Sequence, residues 1–328
     1  MVVGSEILIQ IPEIEKHITG EPLKGFVKFR LDKDEVYKNV SVTLVEKTCS
    51  RYIYDHKNIA DYCTIPIQPG DLSQYQTRKV VKANLLTQIA EEDIVLKSGT
   101  YEYPFEMTIP EDTPPSARTT HKNITVAGIR YFLILKFKKP EYFSLSDYFI
   151  TKLTIYPRID SLTMEKPVIA SLGKTLTKLF TSKKHEIELK IELDKEYLTP
   201  ACERKISFTV TNDSDSIVSI QTELIGITKT SLPFSKAIER TEVLATVETP
   251  SIPDNSVSKM FNIIPVASNQ VCVDNSVSNL FNAIPVGVYT VKHSKAISRE
   301  FKYRVTLKLP KPHSKVFVEI PVFAGERV

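Results

Sequence analysis

The sequence has no tryptophan, only 10 glycines and only 4 cysteines in 328 residues. Each scarcity excludes something. Antibody-type domains pack a buried tryptophan on an intersheet disulfide, and that ring is missing here. No G-x-G-x-x-G, P-loop or G-x-S-x-G occurs, so the glycine loops that cradle phosphates or raise a serine nucleophile are absent. Cys49, Cys63, Cys202 and Cys272 form no CxxC pair and no Cys/His cluster. Two disulfides are arithmetically available, but reduced thiols are the expectation for a chain without a secretory signal. His17, His56, His121, His185, His293 and His313 fall in no metal-ligand spacing. The expectation is a protein without metal, cofactor or catalytic residues, hence not an enzyme.

Long apolar runs are missing too. The longest is Tyr131 to Leu135, against the roughly 20 residues of a membrane-spanning helix. Met1 to Glu6 show no basic region followed by an apolar core, as a signal peptide would. No glycine follows Met1 and no cysteine lies near Val328, so the common lipidation signals are absent. Sequons begin at Asn39, Asn123 and Asn212, and they matter only in a secreted protein.

Charge is balanced in most of the chain. Residues 1–157 carry 20 Lys/Arg and 20 Asp/Glu, and residues 186–328 carry 17 and 17. Residues 158–185 carry 6 and 2, so the whole net charge of +4 sits in this joint. Such a balance gives no argument for nucleic acid. Within the joint, Leu172, Leu176, Leu179 and Phe180 follow i, i+4, i+7, i+8 spacing and would share one helical face. Lys174, Lys178, Lys183 and Lys184 would then make a basic segment able to touch an anionic membrane. The plain alternative is a connector with solvated lysines, since Gly173 and the threonines are poor helix formers.

What fills the two flanks is alternation. Val27, Phe29 and Leu31 alternate with Lys28 and Arg30; Val40, Val42 and Leu44 alternate with Ser41 and Thr43. Strands are further expected at residues 78–86, 101–109, 129–138 and 147–156, while residues 85–93 are compatible with one or two helical turns. After the joint, Ile187, Leu189, Ile191 and Leu193 alternate with charged residues, as do Phe301, Tyr303, Val305 and Leu307. Period two with one apolar side marks half-buried antiparallel strands. Many short strands with tight turns predict an all-β chain of two tandem Ig-like antiparallel β-sandwiches. The domains would be residues 1–157 and 186–328, joined by the basic linker 158–185. On the outer face of one strand, Lys136 and Lys138 make a candidate contact for an anionic cargo segment, the alternative being an ordinary polar strand face. Free strand edges offer a second way to hold an extended segment.

One repeat stands out. Residues 254–266, beginning Asp254-Asn255-Ser256-Val257-Ser258, recur as residues 274–286, beginning Asp274-Asn275-Ser276-Val277-Ser278. Two copies are too few for a solenoid. One copy would fill a strand position and the other would form an added strand or a long loop; which does which is open.

Several stretches are distinctive in their order and spacing. In the first half these are Gly20-Glu21, Gly25, Val27, the run Ser98 to Pro110 with Tyr101, Tyr103, Pro104 and Phe105, and Ile129 to Leu133. In the second half they are Leu193 to Tyr197, Asn212 to Ser214, Tyr303 to Val305, and Val316 to Gly325. Together they resemble the arrestin fold, most closely the alpha-arrestin (arrestin domain-containing) family. The resemblance implies an arrestin-type pair of sandwiches and a non-enzymatic trafficking adaptor in the cytoplasm, peripheral at the plasma membrane or endosomes. It would bind cytoplasmic tails of receptors or transporters and promote their endocytosis or endosomal sorting. Members usually carry Pro-Pro-x-Tyr motifs that recruit ubiquitin ligases; none occurs here, so recruitment is not expected. The alternatives are a retromer-type coat scaffold subunit and a secreted Ig-like adhesion module.

Overall fold

The computed structural model describes residues 3–11, 16–51, 73–87, 93–121, 124–140, 147–160, 166–177, 184–200, 202–231, 237–265, 289–309, 313 and 315–327. Among them every regular element is a strand, and no helix is long and apolar enough to cross a membrane.

The first part of the chain contributes β1 (Val3–Gln10), β2 (His17–Ile18), β3 (Pro22–Leu31), β4 (Glu35–Tyr37), β5 (Asn39–Arg51), β6 (Ser73–Thr87), β7 (Ile94–Leu96), β8 (Gly99–Thr108), β9 (Ala117–His121), β10 (Ile124–Lys138), β11 (Asp147–Leu153) and β12 (Ile155–Tyr156). One layer has the order β1-β3-β8; the other is β11-β10-β5-β6, with β9 also paired to β10. Period two places Val27, Phe29 and Leu31 of β3 against Tyr131, Leu133, Leu135 and Phe137 of β10 in one core. Phe29 stacks near Tyr101 and Tyr103 and meets Phe137 edge-on, with centroids 5.0 Å apart. Gly25 shows why a residue without Cβ is needed in β3. A Cβ there would lie 2.6 Å from the Gln10 carbonyl and 2.7 Å from the Phe105 ring.

The second part contributes β13 (Val168–Thr177), β14 (Lys184–Leu193), β15 (Tyr197–Leu198), β16 (Glu203–Asn212), β17 (Ser219–Thr230), β18 (Ile238–Glu248), β19 (Ser256–Pro265), β20 (Ile297–Lys308) and β21 (Val316–Ala324). Its layers are β13-β14-β16-β19 and β15-β21-β20-β17-β18, closed over a core that includes Ile187, Leu189, Ile191, Phe208, Tyr303 and Val305. Each sandwich is closed by a short parallel pairing that antiparallel alternation does not announce: β2 with β12, and β15 with β21.

Two expectations are corrected. The helical face over Leu172 and Leu176 does not form, because residues 168–177 are a strand in register with β14, from Val168↔Leu193 to Thr177↔Lys184. A spacing of four fits period two as well as it fits a helix. The ladder hydrogen bonds of β14 and the β-branched residues Val168, Ile169, Thr175 and Thr177 favour the extended form. The linker expected over 158–185 therefore already contains the first strand of the second sandwich. Residues 85–87, read as compatible with a helical turn, continue β6; residues 88–92 lie outside the described residues, as do Leu179 and Phe180.

The two sandwiches meet through a polar clamp. Glu326 is buried; its carboxylate accepts a hydrogen bond from the Tyr289 hydroxyl and an ion pair from Lys16 at 2.8 Å. Its backbone bonds on both sides to the connecting chain, Ile159 N–H to Glu326 O and Glu326 N–H to Pro157 O, each at 2.8 Å. Tyr289 also packs edge-on against Tyr156. Farther along, the Arg299 guanidinium donates to the Arg118 carbonyl at 3.2 Å, and Val291 and Ile297 join the core of the first sandwich.

Tyr131 and Tyr303 are fully buried, one in each core, but their hydroxyls differ. Tyr131 donates to the Pro114 carbonyl at 2.5 Å and lies 3.4 Å from the Glu46 carboxylate. Burial and then the Glu46 charge push its phenol far above the ordinary tyrosine range, so it stays a donor. The Tyr303 hydroxyl has no hydrogen-bond partner among the described residues. Tyr131→Phe is therefore expected to destabilise the protein by about 1–3 kcal/mol, through the unsatisfied acceptor it leaves. Tyr303→Phe is expected to stay within about 0.5 kcal/mol of wild type or to stabilise it. Urea unfolding of the two variants checks the contrast.

Candidate functional site

The outer face of the β11-β10-β5-β6 layer is the candidate site. Its composition follows from register. The odd positions of β10 from Ile129 to Phe137 and the even positions of β5 from Val40 to Leu44 are committed to the core. The intervening residues must point outward. On β10 these are Arg130, Phe132, Ile134, Lys136 and Lys138, which stand opposite Lys47, Val45, Thr43, Ser41 and Asn39 of β5. On β11, Lys152 stands opposite Phe132 and Ile150 opposite Ile134. On β6, Lys82 stands opposite Thr43, and beyond a bulge Lys79 stands opposite Val45.

The face thus gathers Lys47, Lys79, Lys82, Arg130, Lys136, Lys138 and Lys152 from four strands. No Asp or Glu stands at an outward position of these strands among the described residues. The Glu46 carboxylate points to the other side and pairs with Arg78 at 2.7 Å. Phe132 lies under the Lys47 ammonium, 5.3 Å from ring centroid to nitrogen. Burial, then Arg130 and Arg118, pull the Lys152 ammonium below the ordinary lysine range. Burial is the larger cause, and the two guanidiniums add a like-charge repulsion that a bound anion would relieve.

Other faces of the molecule are neutralised across strands. On the outer side of β3 and β8, Lys24 pairs with Glu106 at 3.2 Å and Lys28 with Glu102 at 3.1 Å. In the second sandwich Glu319 takes Lys302 and Arg304, and Glu248 takes Lys308. At the outward positions of β10 and its neighbouring strands the charged residues are all of one sign, among the described residues.

Lys136 and Lys138 are the pair anticipated from sequence, and the structure puts both on this face, Lys138 exposed and Lys136 half-buried. Lys47, Lys79, Lys82, Arg130 and Lys152 were not anticipated. Each sits in an alternating run, but their convergence depends on pairing between distant strands. The lysines of the joint do not converge in the same way. Lys174 is half-buried on the side of β13 that carries Leu172 and Leu176; Lys184 is exposed on the opposite side of the hairpin. Lys178 and Lys183 lie outside the described residues. Among the described residues no group of His, Cys, Asp and Glu is placed to hold a metal ion.

Residues 13–161, just under half of the chain, match the family model for the N-terminal domain of arrestin (or S-antigen). The match covers the sandwich that carries the basic face and ends within the clamp segment. No curated protein matches the chain. The matched domain and the all-β architecture make this an arrestin-fold protein.

Reversing charge at Lys82 and Lys136 together is expected to bring the protein off a heparin column at clearly lower salt than wild type. Reversing Lys24 and Lys28, which already face carboxylates, is expected to shift elution less, because each new glutamate replaces one member of a neutral pair. Salt-gradient elution of the two double variants checks this.

Proposed function

We propose that the protein is a non-enzymatic trafficking adaptor of the alpha-arrestin kind. It holds acidic or phosphorylated cytoplasmic segments of receptors or transporters on the basic face of its first sandwich. In doing so it selects them for endocytosis or endosomal sorting, working in the cytoplasm at the plasma membrane or endosomes. The observation that carries the reading is the gathering of seven lysines and arginines from four strands on one outer face of a domain that matches the arrestin N-terminal model.

The physical mechanism is charge and spacing. Outward residues on one strand, such as Lys136 and Lys138, lie about 6.8 Å apart, twice the strand rise. An extended segment with anionic groups at alternate positions has the same repeat. Phosphates suit it because each brings nearly two charges and several acceptor oxygens. Lys82 and Lys47 on neighbouring strands widen the target, so several weak pairs act together. Membrane contact through Lys174, Lys178, Lys183 and Lys184 has less support, since Lys174 and Lys184 stand on opposite sides of their hairpin. The secreted alternative also loses support. The Asn212 side chain of one sequon is buried and donates to the Ser216 and Pro253 carbonyls, each at 2.8 Å.

The test is binding of a cytoplasmic-tail peptide bearing two phosphoserines at alternate positions. Wild type is expected to bind it at least tenfold more tightly than the unphosphorylated peptide, with affinity falling steeply as salt rises. The Lys82→Glu, Lys136→Glu double variant is expected to lose that preference. Unchanged phosphopeptide affinity in this variant would remove the basic face from the function.

A further inference from the structure

Of the tandem repeat, residues 254–265 belong to the second sandwich and residues 274–286 lie outside the described residues. The first copy, residues 254–266, supplies the turn at Asp254-Asn255 and then β19, which lies against β16 at the edge of its layer. Asn255 adopts a positive φ of 45° in that turn. Along β19, Ser256, Ser258, Met260, Asn262 and Ile264 face inward; Val257, Lys259, Phe261, Ile263 and Pro265 face out. The buried Asn262 amide donates to the Thr222 hydroxyl of the opposite layer at 3.0 Å.

The second copy, residues 274–286, retains what this position requires. It has Asp274-Asn275 for the turn and Ser276, Ser278, Leu280, Asn282 and Ile284 at the inward places. The copies differ at only three positions. Lys259 to Asn279 and Ile263 to Ala283 fall on the outward side. Met260 to Leu280 falls inward and nearly conserves volume, the swap cores tolerate best. A buried asparagine is costly without a partner, so its recurrence makes physical sense where Thr222 can receive it.

We propose that the two copies are alternative occupants of the β19 position, so that the second sandwich can exchange one for the other. Exchange would move the surplus 20 residues from the β19–β20 connection to the β18–β19 connection. Four residue steps from Pro285 to Tyr289 span up to about 14 Å. They would join places at one end of the sandwich: Pro265 pairs with Glu203 just after β15, and β15 pairs with Ala324, to which Thr290 bonds. The first copy is the better occupant because Ile252, fully buried in front of it, aligns with the smaller Cys272. This inference does not depend on the cargo reading.

The experiment compares the full chain carrying Ile264→Asp, Ile284→Asp or both. Thermal unfolding is followed together with the rate of thiol labelling at Cys272, read by peptide mass spectrometry. Each single variant is expected to keep cooperative unfolding of the second sandwich, and the double variant to lose it. Cys272 is expected to label more slowly in Ile264→Asp, where it takes the buried place of Ile252, than in Ile284→Asp. The proposal is overturned if either single variant loses the transition as the double does, or if the double variant keeps it. Equal labelling rates in the two single variants overturn it as well.

Discussion

Each long strand is committed on one side to a core from which water is excluded, and that commitment fixes what its other side can present. In β10, Ile129, Tyr131, Leu133, Leu135 and Phe137 are fully buried. A slip of one residue against β5 would turn all five to solvent and drive Arg130, Lys136 and Lys138 inward. Burial of five such side chains is worth on the order of 10 kcal/mol, comparable to the whole stability of a domain. The register is therefore not free to drift, and the outward lysines are held in place by residues that never meet a ligand. The basic face is rigid for the same reason the core is dry.

The clamp extends this constraint from one sandwich to the pair. Glu326 lies at the end of the last layer of the second sandwich, yet its carboxylate is taken by Lys16 and Tyr289 and its backbone by Pro157 and Ile159. A buried carboxylate is tolerable only with such a set of donors, because desolvation makes an uncompensated charge expensive. Three separate stretches of chain, at Lys16, at Pro157 to Ile159 and at Tyr289, must meet Glu326 to provide its partners. Gly325 allows that approach: a Cβ there would sit 2.8 Å from both the Pro157 carbonyl and the Phe323 ring. Arg299 reaches the Arg118 carbonyl on the β9 side of the basic layer. The orientation of the second sandwich is thus tied to the layer that carries the candidate site.

Alternation was legible in the residues themselves, and so was the architecture it implies. Val27, Phe29 and Leu31, or Ile187, Leu189, Ile191 and Leu193, state both strand and buried side without any knowledge of neighbours. What was not legible is what depends on pairing between distant segments. Lys47, Lys82 and Lys152 look like ordinary outward residues until β5, β6 and β11 are set beside β10. Leu172 and Leu176 are four apart, a spacing common to a helix and a strand, and only β14 decides between them. The clamp is hidden for a further reason. Glu326 and Lys16 carry no local pattern, and their meeting requires both domains to be complete.

The second sandwich shows how a single polar residue sharpens such a choice. An edge strand lined inward only by aliphatic residues can slide by two positions at little cost, since each apolar group finds another apolar neighbour. Asn262 removes that freedom, because its amide is buried and Thr222 lies at one register only. A shift of two would leave both groups without partners, at about 1–3 kcal/mol for each. The same logic explains why a duplicate of the strand would have to keep its asparagine and could let its outward residues change. Of the three differences between the copies, Lys259 to Asn279 and Ile263 to Ala283 align with outward positions of β19, and Met260 to Leu280, one apolar residue for another, with an inward one.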